Sequence, residues 1–391
     1  MPLRPPAGFI SAFFDPLKNP DAPTIGTATG GDQSASVTFT APANVGGSAI
    51  TAYYAVSDPD QITSSGASSP VTVTGLTNGT SYTFNVWALN SYGPGVWSAA
   101  TGSVTPATQR GLWAGGSGTS GSLSTIQYIT INTTGNATSF GNLSSARYGV
   151  TSCSSDTRGV FSGGQSPSTN IIEYVTIAST GNTTSFGELL VATQRATGTG
   201  NQTRGLFAGG ENTQCNIYYI TIASTGNATS FGTTSTWKTE AGGASSTTRA
   251  LFMGGNNQTQ QIAYVAIATT GNASTFGQLI TGRNSCGAAS SNTRALVAGG
   301  NDNTFTAISY IEYVTIASTG NGTSFGNLTD RVFALAGTGS QVRAVFGGGG
   351  SPSNVMAYVT IATTGNAVSF GQLITKTELP TACSNCHGGL S

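Results

Sequence analysis

Near its C-terminus the chain reads Cys383-Ser384-Asn385-Cys386-His387, the spacing by which two thiols and an imidazole capture a haem. His387 is the only histidine in 391 residues, so no second imidazole completes an axial pair. Register points to a plainer role. Ser384-Asn385-Cys386-His387-Gly388 aligns with Ser291-Asn292-Thr293-Arg294-Ala295, which places His387 where an internal repeat carries arginine. The remaining cysteines, Cys153, Cys215 and Cys286, bring the count to five, an odd number whose spacing does not follow the repeat. They are expected to be buried free thiols, and no haem, metal or other cofactor is expected.

The acids offer no catalytic pair. Asp156, Glu173, Glu188, Glu211, Glu240, Asp302, Glu312, Asp330 and Glu378 recur at no common repeat position, apart from Glu173 and Glu312. With one histidine, a nucleophile–base arrangement has only a poor candidate, so no enzyme is expected. Asn136, Asn182, Asn227, Asn272 and Asn321 each open an Asn-x-Thr/Ser triplet. Each lies in Thr-Gly-Asn, and Asn366 keeps that tripeptide without the triplet. A tight turn, with Gly and Asn tolerating positive φ, is therefore the expected constraint.

The cations are more informative. Beyond residue 107 they fall in two series. Arg110, Arg158, Arg204, Arg249, Arg294 and Arg343 form one; Arg147, Arg195, Lys238, Arg283, Arg331 and Lys376 form the other. The second series precedes the first strand of each repeat and is expected to ring a channel mouth. That mouth shares a face with variable loops at Ser117–Thr125, Gln165–Ile171, Glu211–Asn216, Asn256–Gln261, Asn301–Tyr310 and Gly350–Val355. Two readings stand: the cations bond neighbouring loop carbonyls, or the mouth binds an acidic glycan or protein.

These positions are set by a motif that recurs six times, at spacings of 48, 46, 45, 45 and 49 residues. It begins Arg-[Gly/Ala]-[Leu/Val], reaches Gly-Gly, runs through a Tyr-Val-Thr-Ile-like strand, turns at Thr-Gly-Asn and ends near Ser-Phe-Gly. In the third strand Tyr128, Tyr174, Tyr219, Tyr264, Tyr313 and Tyr358 are each followed three places on by Ile. Side chains of a strand alternate, so both faces are apolar and sheets must stack on sheets. Composition agrees: 55 glycines and 7% charged residues suit short strands and tight turns, and zero net charge gives no case for nucleic acid or membrane. No run reaches the ~18 apolar residues of a membrane span. The short apolar run at residues 8–14 has no small-residue cleavage site after it, so no secretory leader is expected.

Three regions follow. Residues 1–20 form an extended arm opened by Pro5-Pro6, in which Phe9, Ile10, Phe13 and Phe14 are anchor candidates. In residues 21–107 short strands alternate with turns, and Leu76-Thr77-Asn78-Gly79-Thr80-Ser81-Tyr82 resembles the tyrosine-corner segment of fibronectin type III domains. That resemblance implies a β-sandwich core of Val37, Phe39, Tyr53 or Tyr54, Leu76, Tyr82, Phe84 and Val86, in a module that carries little function by itself. Residues 108–391, with four strands per repeat and Gly-Gly after the second, resemble a kelch β-propeller, although Phe140, Phe186, Phe231, Phe276, Phe325 and Phe370 stand where kelch usually has Trp. The first copy lacks an innermost strand, and the twenty residues after Gly371 supply one. The expected fold is thus all-β, a type III sandwich followed by a six-bladed propeller closed by the C-terminal strand.

The arm, the type III module and the Thr-Gly-Asn-x-Thr-Ser-Phe-Gly repeats together resemble virion structural proteins of tailed, especially cyanobacterial, bacteriophages. The resemblance implies a virion location, partners among other tail or capsid proteins through the arm, and a propeller facing a host glycan or protein. A tail-associated fibre or adhesin and a capsid decoration protein are both consistent with it. A secreted bacterial carbohydrate-binding protein is the third alternative.

Overall fold

The computed structural model describes residues 17–213 and 215–390, so Phe9, Ile10, Phe13 and Phe14 lie outside the described residues. The fold is all-β: among the described residues the one helical element is a single 3₁₀ turn, Asn256–Gln258. Two compact units divide between Thr108 and Gln109.

The first unit is a sandwich of two antiparallel sheets. One holds Thr24–Gly31, Ser34–Thr40 and Val71–Thr74; the other holds Thr63–Gly66, Ala52–Asp58, Thr83–Asn90 and Gly93–Pro94. Thr83–Asn90 alternates part-buried and buried residues along its whole length, as a strand with one core face must. Val37, Leu76, Phe84 and Val86 fill that core, each worth about 1.5–3 kcal/mol of burial. Of the two adjacent tyrosines, Tyr53 points inward. Tyr82 is buried, and its hydroxyl accepts from the Thr77 amide at 3.1 Å and donates to Asp60 at 2.7 Å, which satisfies the one polar atom it carries inward. Lys18 to Pro20 are held on this unit through Lys18 N–Gly46 O, Asn19 Nδ2–Pro94 O and Val96 N–Pro20 O.

The second unit holds six four-stranded antiparallel sheets and one two-stranded ribbon, Ser117–Gly118 with Gly121–Ser122. In the second sheet the strands, from inner to outer, are Thr151–Ser154, Arg158–Ser162, Ile171–Thr176 and Thr184–Glu188. The first sheet takes Arg110–Ala114, Thr125–Thr130 and Thr138–Asn142 from its own repeat, and its inner strand from the C-terminus. That strand, Thr381–Ser384, lies antiparallel to the first with Thr381 opposite Ala114. Six apolar clusters are each shared by two successive sheets, and one of them joins Val345, Met356 and Phe370 of the last sheet to Trp113, Ile129 and Ile131 of the first. A sheet with two apolar faces buries both only in this way.

The Ser-Phe-Gly signature is a bulge. Opposite Ile172 and Glu173 the outer strand presents Gly187 and Ser185, with Phe186 between them unpaired. The bulge turns Phe186 edge-on to Tyr174, at 6.0 Å and 82°, and the other five sheets repeat the pair at 5.7–6.0 Å.

Candidate functional site

The arginines that open the second strands join sheets to one another. The Arg158 guanidinium lies 4.6 Å over the Tyr174 ring, and its Nη1 donates to the Ile222 and Ala223 carbonyls of the following sheet at 2.9 and 2.8 Å. Arg110, Arg204, Arg249 and Arg294 do the same to their successors. Arg343, in the sixth sheet, donates to Ile131 and Asn132 of the first at 3.2 and 2.7 Å. These are orphan carbonyls at the end of a third strand, and the fork of a guanidinium suits a pair of them.

The Thr-Gly-Asn turns are a second set of joints, and for a reason other than positive φ. None of the six glycines or asparagines is in the left-handed region. The asparagine earns its place through its side chain: Asn182 Oδ1 accepts from the Asn142 amide of the preceding sheet at 3.0 Å, and Asn136, Asn227, Asn272, Asn321 and Asn366 repeat the bond. The glycine that ends Ser-Phe-Gly is fixed by space, since a Cβ on Gly141 would land on the Gly181 carbonyl. Gly181 itself has open space around it, and nothing in the structure explains why it is glycine.

The second cationic series does not occupy one position. Hydrogen bonds from the second residue of each Gly-Gly pair define the register: Gly116, Gly164, Gly210, Gly255, Gly300 and Gly349 donate to the carbonyls of Arg147, Thr193, Lys238, Arg283, Val332 and Thr377. Both glycines of each pair have positive φ, which brings that amide round to the next sheet. Only Arg147, Lys238 and Arg283 of the expected six are in register, and all three are buried. Arg147 pairs with Glu173, and Arg283 pairs with Glu312 while donating to the Gly299 and Tyr310 carbonyls at 3.1 and 2.9 Å. Burial pulls the Arg147 guanidinium below its usual value and Glu173 pushes back. Lys238 Nζ donates to Gly254 O at 2.8 Å and Gln261 O at 3.1 Å, and burial lowers it to about 8. Arg331 and Lys376 stand one residue before this position and Arg195 two after it; the connectors are equal in length, so the cation simply falls on a different residue of the connector. Of the six expected cations, Arg147, Lys238 and Arg283 are thus taken up by internal bonds to loop carbonyls and carboxylates.

The mouth is lined instead by six residues in left-handed backbone: Gly149, Arg195, Glu240, Ser285, Ala334 and Leu379, with φ between 51° and 62°. Arg195 N bonds Gly149 O, Glu240 N bonds Arg195 O, Ala334 N bonds Ser285 O, Leu379 N bonds Ala334 O and Gly149 N bonds Leu379 O, at 2.7–3.3 Å. This collar opens on a cavity of about 120 Å³ whose deeper wall is Gly, Ala, Ser and Thr from all six inner strands. Its charged groups are Arg195 and Glu240, 3.0 Å apart. Arg195 also meets Glu211 at 3.2 Å, and the Ser285 hydroxyl donates to Glu240.

At the other end a second cavity, about 50 Å³, is floored by the Cys-x-x-Cys-His segment. Asn385, and not His387, falls in register with the repeat. Its Oδ1 accepts from the Arg110 amide at 2.8 Å, as Ser291 does from Arg294 at 3.1 Å, which shifts the sequence alignment by one residue. The chain then leaves the sheet, since Arg110 already occupies the next strand. His387 Nε2 donates to Ser154 O at 3.2 Å and Nδ1 accepts from Gly389 N at 3.1 Å, and burial holds this neutral ring down to about 4. Gly388 donates to Ser290 O, and Gln341 Nε2 donates to the His387 and Leu390 carbonyls at 3.1 and 2.9 Å. Cys383 and Cys386 pack in different apolar clusters, with burial pushing both thiols up to about 12. They serve as packing groups.

Residues 21–103 match the family model of the fibronectin type III domain. The first unit carries a type III domain. No curated protein matches the chain. On the outer face of the type III domain Tyr54 and Trp87 stack at 4.2 Å and 7°, with Trp97 edge-on to Trp87 at 6.3 Å.

Sequence reasoning missed the apolar groups on the second unit's loop face. Inner strands run away from this face and second strands toward it, so it carries both the Gly-Gly loops and the connectors from outer to inner strands. Of the ten exposed large apolar residues in the second unit, eight are here: Ile171, Leu190, Val191, Ile280, Phe305, Tyr310, Val355 and Ile374. The signal was present in Asn301-Asp302-Asn303-Thr304-Phe305-Thr306, where one aromatic interrupts a polar loop.

Proposed function

We propose that the chain is a non-enzymatic structural and binding protein of a tailed-phage virion, in which a type III domain carries a six-bladed, kelch-like propeller whose loop face meets the host surface. Shared clusters, arginine joints and turn asparagines that run from the sixth sheet back to the first support the propeller reading, as does the pairing of Thr381–Ser384 with Arg110–Ala114. The likeness of the repeats to phage virion proteins supports the location.

The observation that carries the display reading is the asymmetry of the two ends. One is floored by the C-terminal residues; the other gathers eight of ten exposed apolar groups on variable loops. The cavity wall of small residues and a neutralised Arg195–Glu240 pair supports a non-enzymatic role. Attachment is assigned to residues 1–16, with Phe9, Ile10, Phe13 and Phe14 as anchors. Lys18 to Pro20 belong to the type III domain and must be kept in any deletion.

Immunogold labelling of intact particles with an antibody to the second unit tests this reading. Label at the tail supports it, label over the head turns the protein into a capsid decoration, and particles without label refute a virion role. Particles that incorporate the chain equally well without residues 1–16 remove the anchor.

A further inference from the structure

We propose that the loop Asn301–Tyr310 is a binding site for an uncharged saccharide, with Phe305 as its stacking ring. The proposal deepens the display reading and rests on it.

Phe305 is 77% exposed, the most exposed large apolar side chain among the described residues. Its backbone sits at φ 57°, a region that side chains beyond glycine and asparagine rarely adopt. A loop tip free to relax would abandon both conditions, and this one is held. Asp302 Oδ1 accepts from Thr304 N at 2.9 Å, Thr304 Oγ1 at 2.6 Å and Thr306 N at 3.0 Å. Phe305 N donates to Asp302 O at 2.9 Å and Asp302 N to Thr306 O at 3.0 Å. Buried Ile308 seats the base of the loop on Gly300 O at 3.0 Å. The ring is thus presented on a rigid hairpin, and the ordering cost of binding is met in the free protein.

The surroundings select the ligand. Asn303, Thr304 and Thr306 are exposed beside the ring. The only carboxylate of the loop spends one oxygen inside it, on Thr304 and Thr306. Tyr310, 48% exposed, closes the loop on the face from which Glu312 reaches Ile280. An aromatic face is electron-rich and the C–H face of a sugar carries partial positive charge, so the two stack; neighbouring amides and hydroxyls then reach the sugar hydroxyls. Size argues the same way. One or two rings of ~150–250 Å² each supply far less than the ~800 Å² per partner of a stable protein interface, but cover one or two sugar units.

The test is an array of neutral, sialylated and uronic-acid oligosaccharides probed with the full chain, its Phe305→Ala and Phe305→Trp variants, and Tyr310→Ala. Phe305 is mostly exposed, so thermal unfolding should change little in Phe305→Ala and any loss of binding is local. Neutral glycans bound by the wild type and by Phe305→Trp, with at least tenfold loss in Phe305→Ala, are expected. Absence of neutral ligands, binding confined to acidic glycans, or equal binding by Phe305→Ala overturns the site. The two readings fail separately: a chain displayed on particles that binds no neutral glycan loses only the saccharide site, whereas a glycan-binding chain absent from particles loses only the virion role.

Discussion

Arg343→Ala tests whether the first and last sheets of the second unit hold each other as the hydrogen bonds require. Arg343 Nη1 donates to Ile131 O and Asn132 O across 212 and 211 residues of sequence, and its guanidinium lies 4.7 Å over the Tyr358 ring. Charged hydrogen bonds contribute about 1.5–3 kcal/mol each when buried, and half-exposed ones about 1. A cation–π contact at such a site adds about 0.5–1 kcal/mol. The variant should therefore lose about 3 kcal/mol, which in a unit of this size lowers Tm by roughly 6–12 °C. Arg204→Ala, whose partners Ile267 and Ala268 are 63 and 64 residues away, should lose the same amount. Arg343→Lys keeps the charge and loses the fork, and should fall between. Calorimetry on the full chain reads all three. If Arg204→Ala drops as expected while Arg343→Ala unfolds within 1 °C or so of the wild type, the first and last sheets do not share this joint and the cyclic arrangement is refuted.

Gly187→Ala should cost about 1–3 kcal/mol, since its Cβ meets the Gly226 carbonyl, whereas Gly181→Ala, in open space, should shift urea stability by less than about 1 kcal/mol. Lys238→Met should lose about 1–3 kcal/mol in the same assay by stranding Gly254 O and Gln261 O, with no change in glycan binding; a stable variant with altered binding would restore the cation to a ligand site. His387, ordinarily near 6.5 and held down to about 4 by burial, is neutral when folded. The unfolded chain takes up the proton first, so stability is complete above about pH 6.5 and falls by at most about 3 kcal/mol as pH drops to about 4. His387→Gln should flatten that part of the pH profile, and an unchanged slope would show that other groups set it.

The repeat was legible because its most regular residues form the most regular joints. Arg158, Tyr174, Phe186 and Asn182 each act across one fixed distance, so spacing alone found them. Their purpose was not legible, because it lies in the neighbouring sheet: the arginine fork ends on carbonyls some 65 residues away, which no local pattern carries. The second cationic series misled for a physical reason. The connectors are equal in length, and Arg195, Arg331 and Lys376 fall one or two residues to either side of a position that Thr193, Val332 and Thr377 fill just as well, so that position demands a backbone carbonyl more than charge. The tail erred by one residue because it follows the repeat only to Asn385. Phe305 escaped notice because exposure is set by a hairpin whose Asp302 bonds appear only in three dimensions.

The C-terminal strand also dictates an order of events during synthesis. Arg110–Ala114 leaves the ribosome early, with Leu112 and Trp113 destined for full burial, but its partner Thr381–Ser384 lies about 270 residues further on. At roughly 5–20 residues per second that strand edge waits about 15–50 s for its mate. Until then the nascent chain offers an unpaired, apolar template to any neighbouring copy on the same message. A slow start followed by rapid release of the last codons would shorten that exposure, and fusing anything that delays Thr381 should raise the aggregated fraction before any native contact is lost.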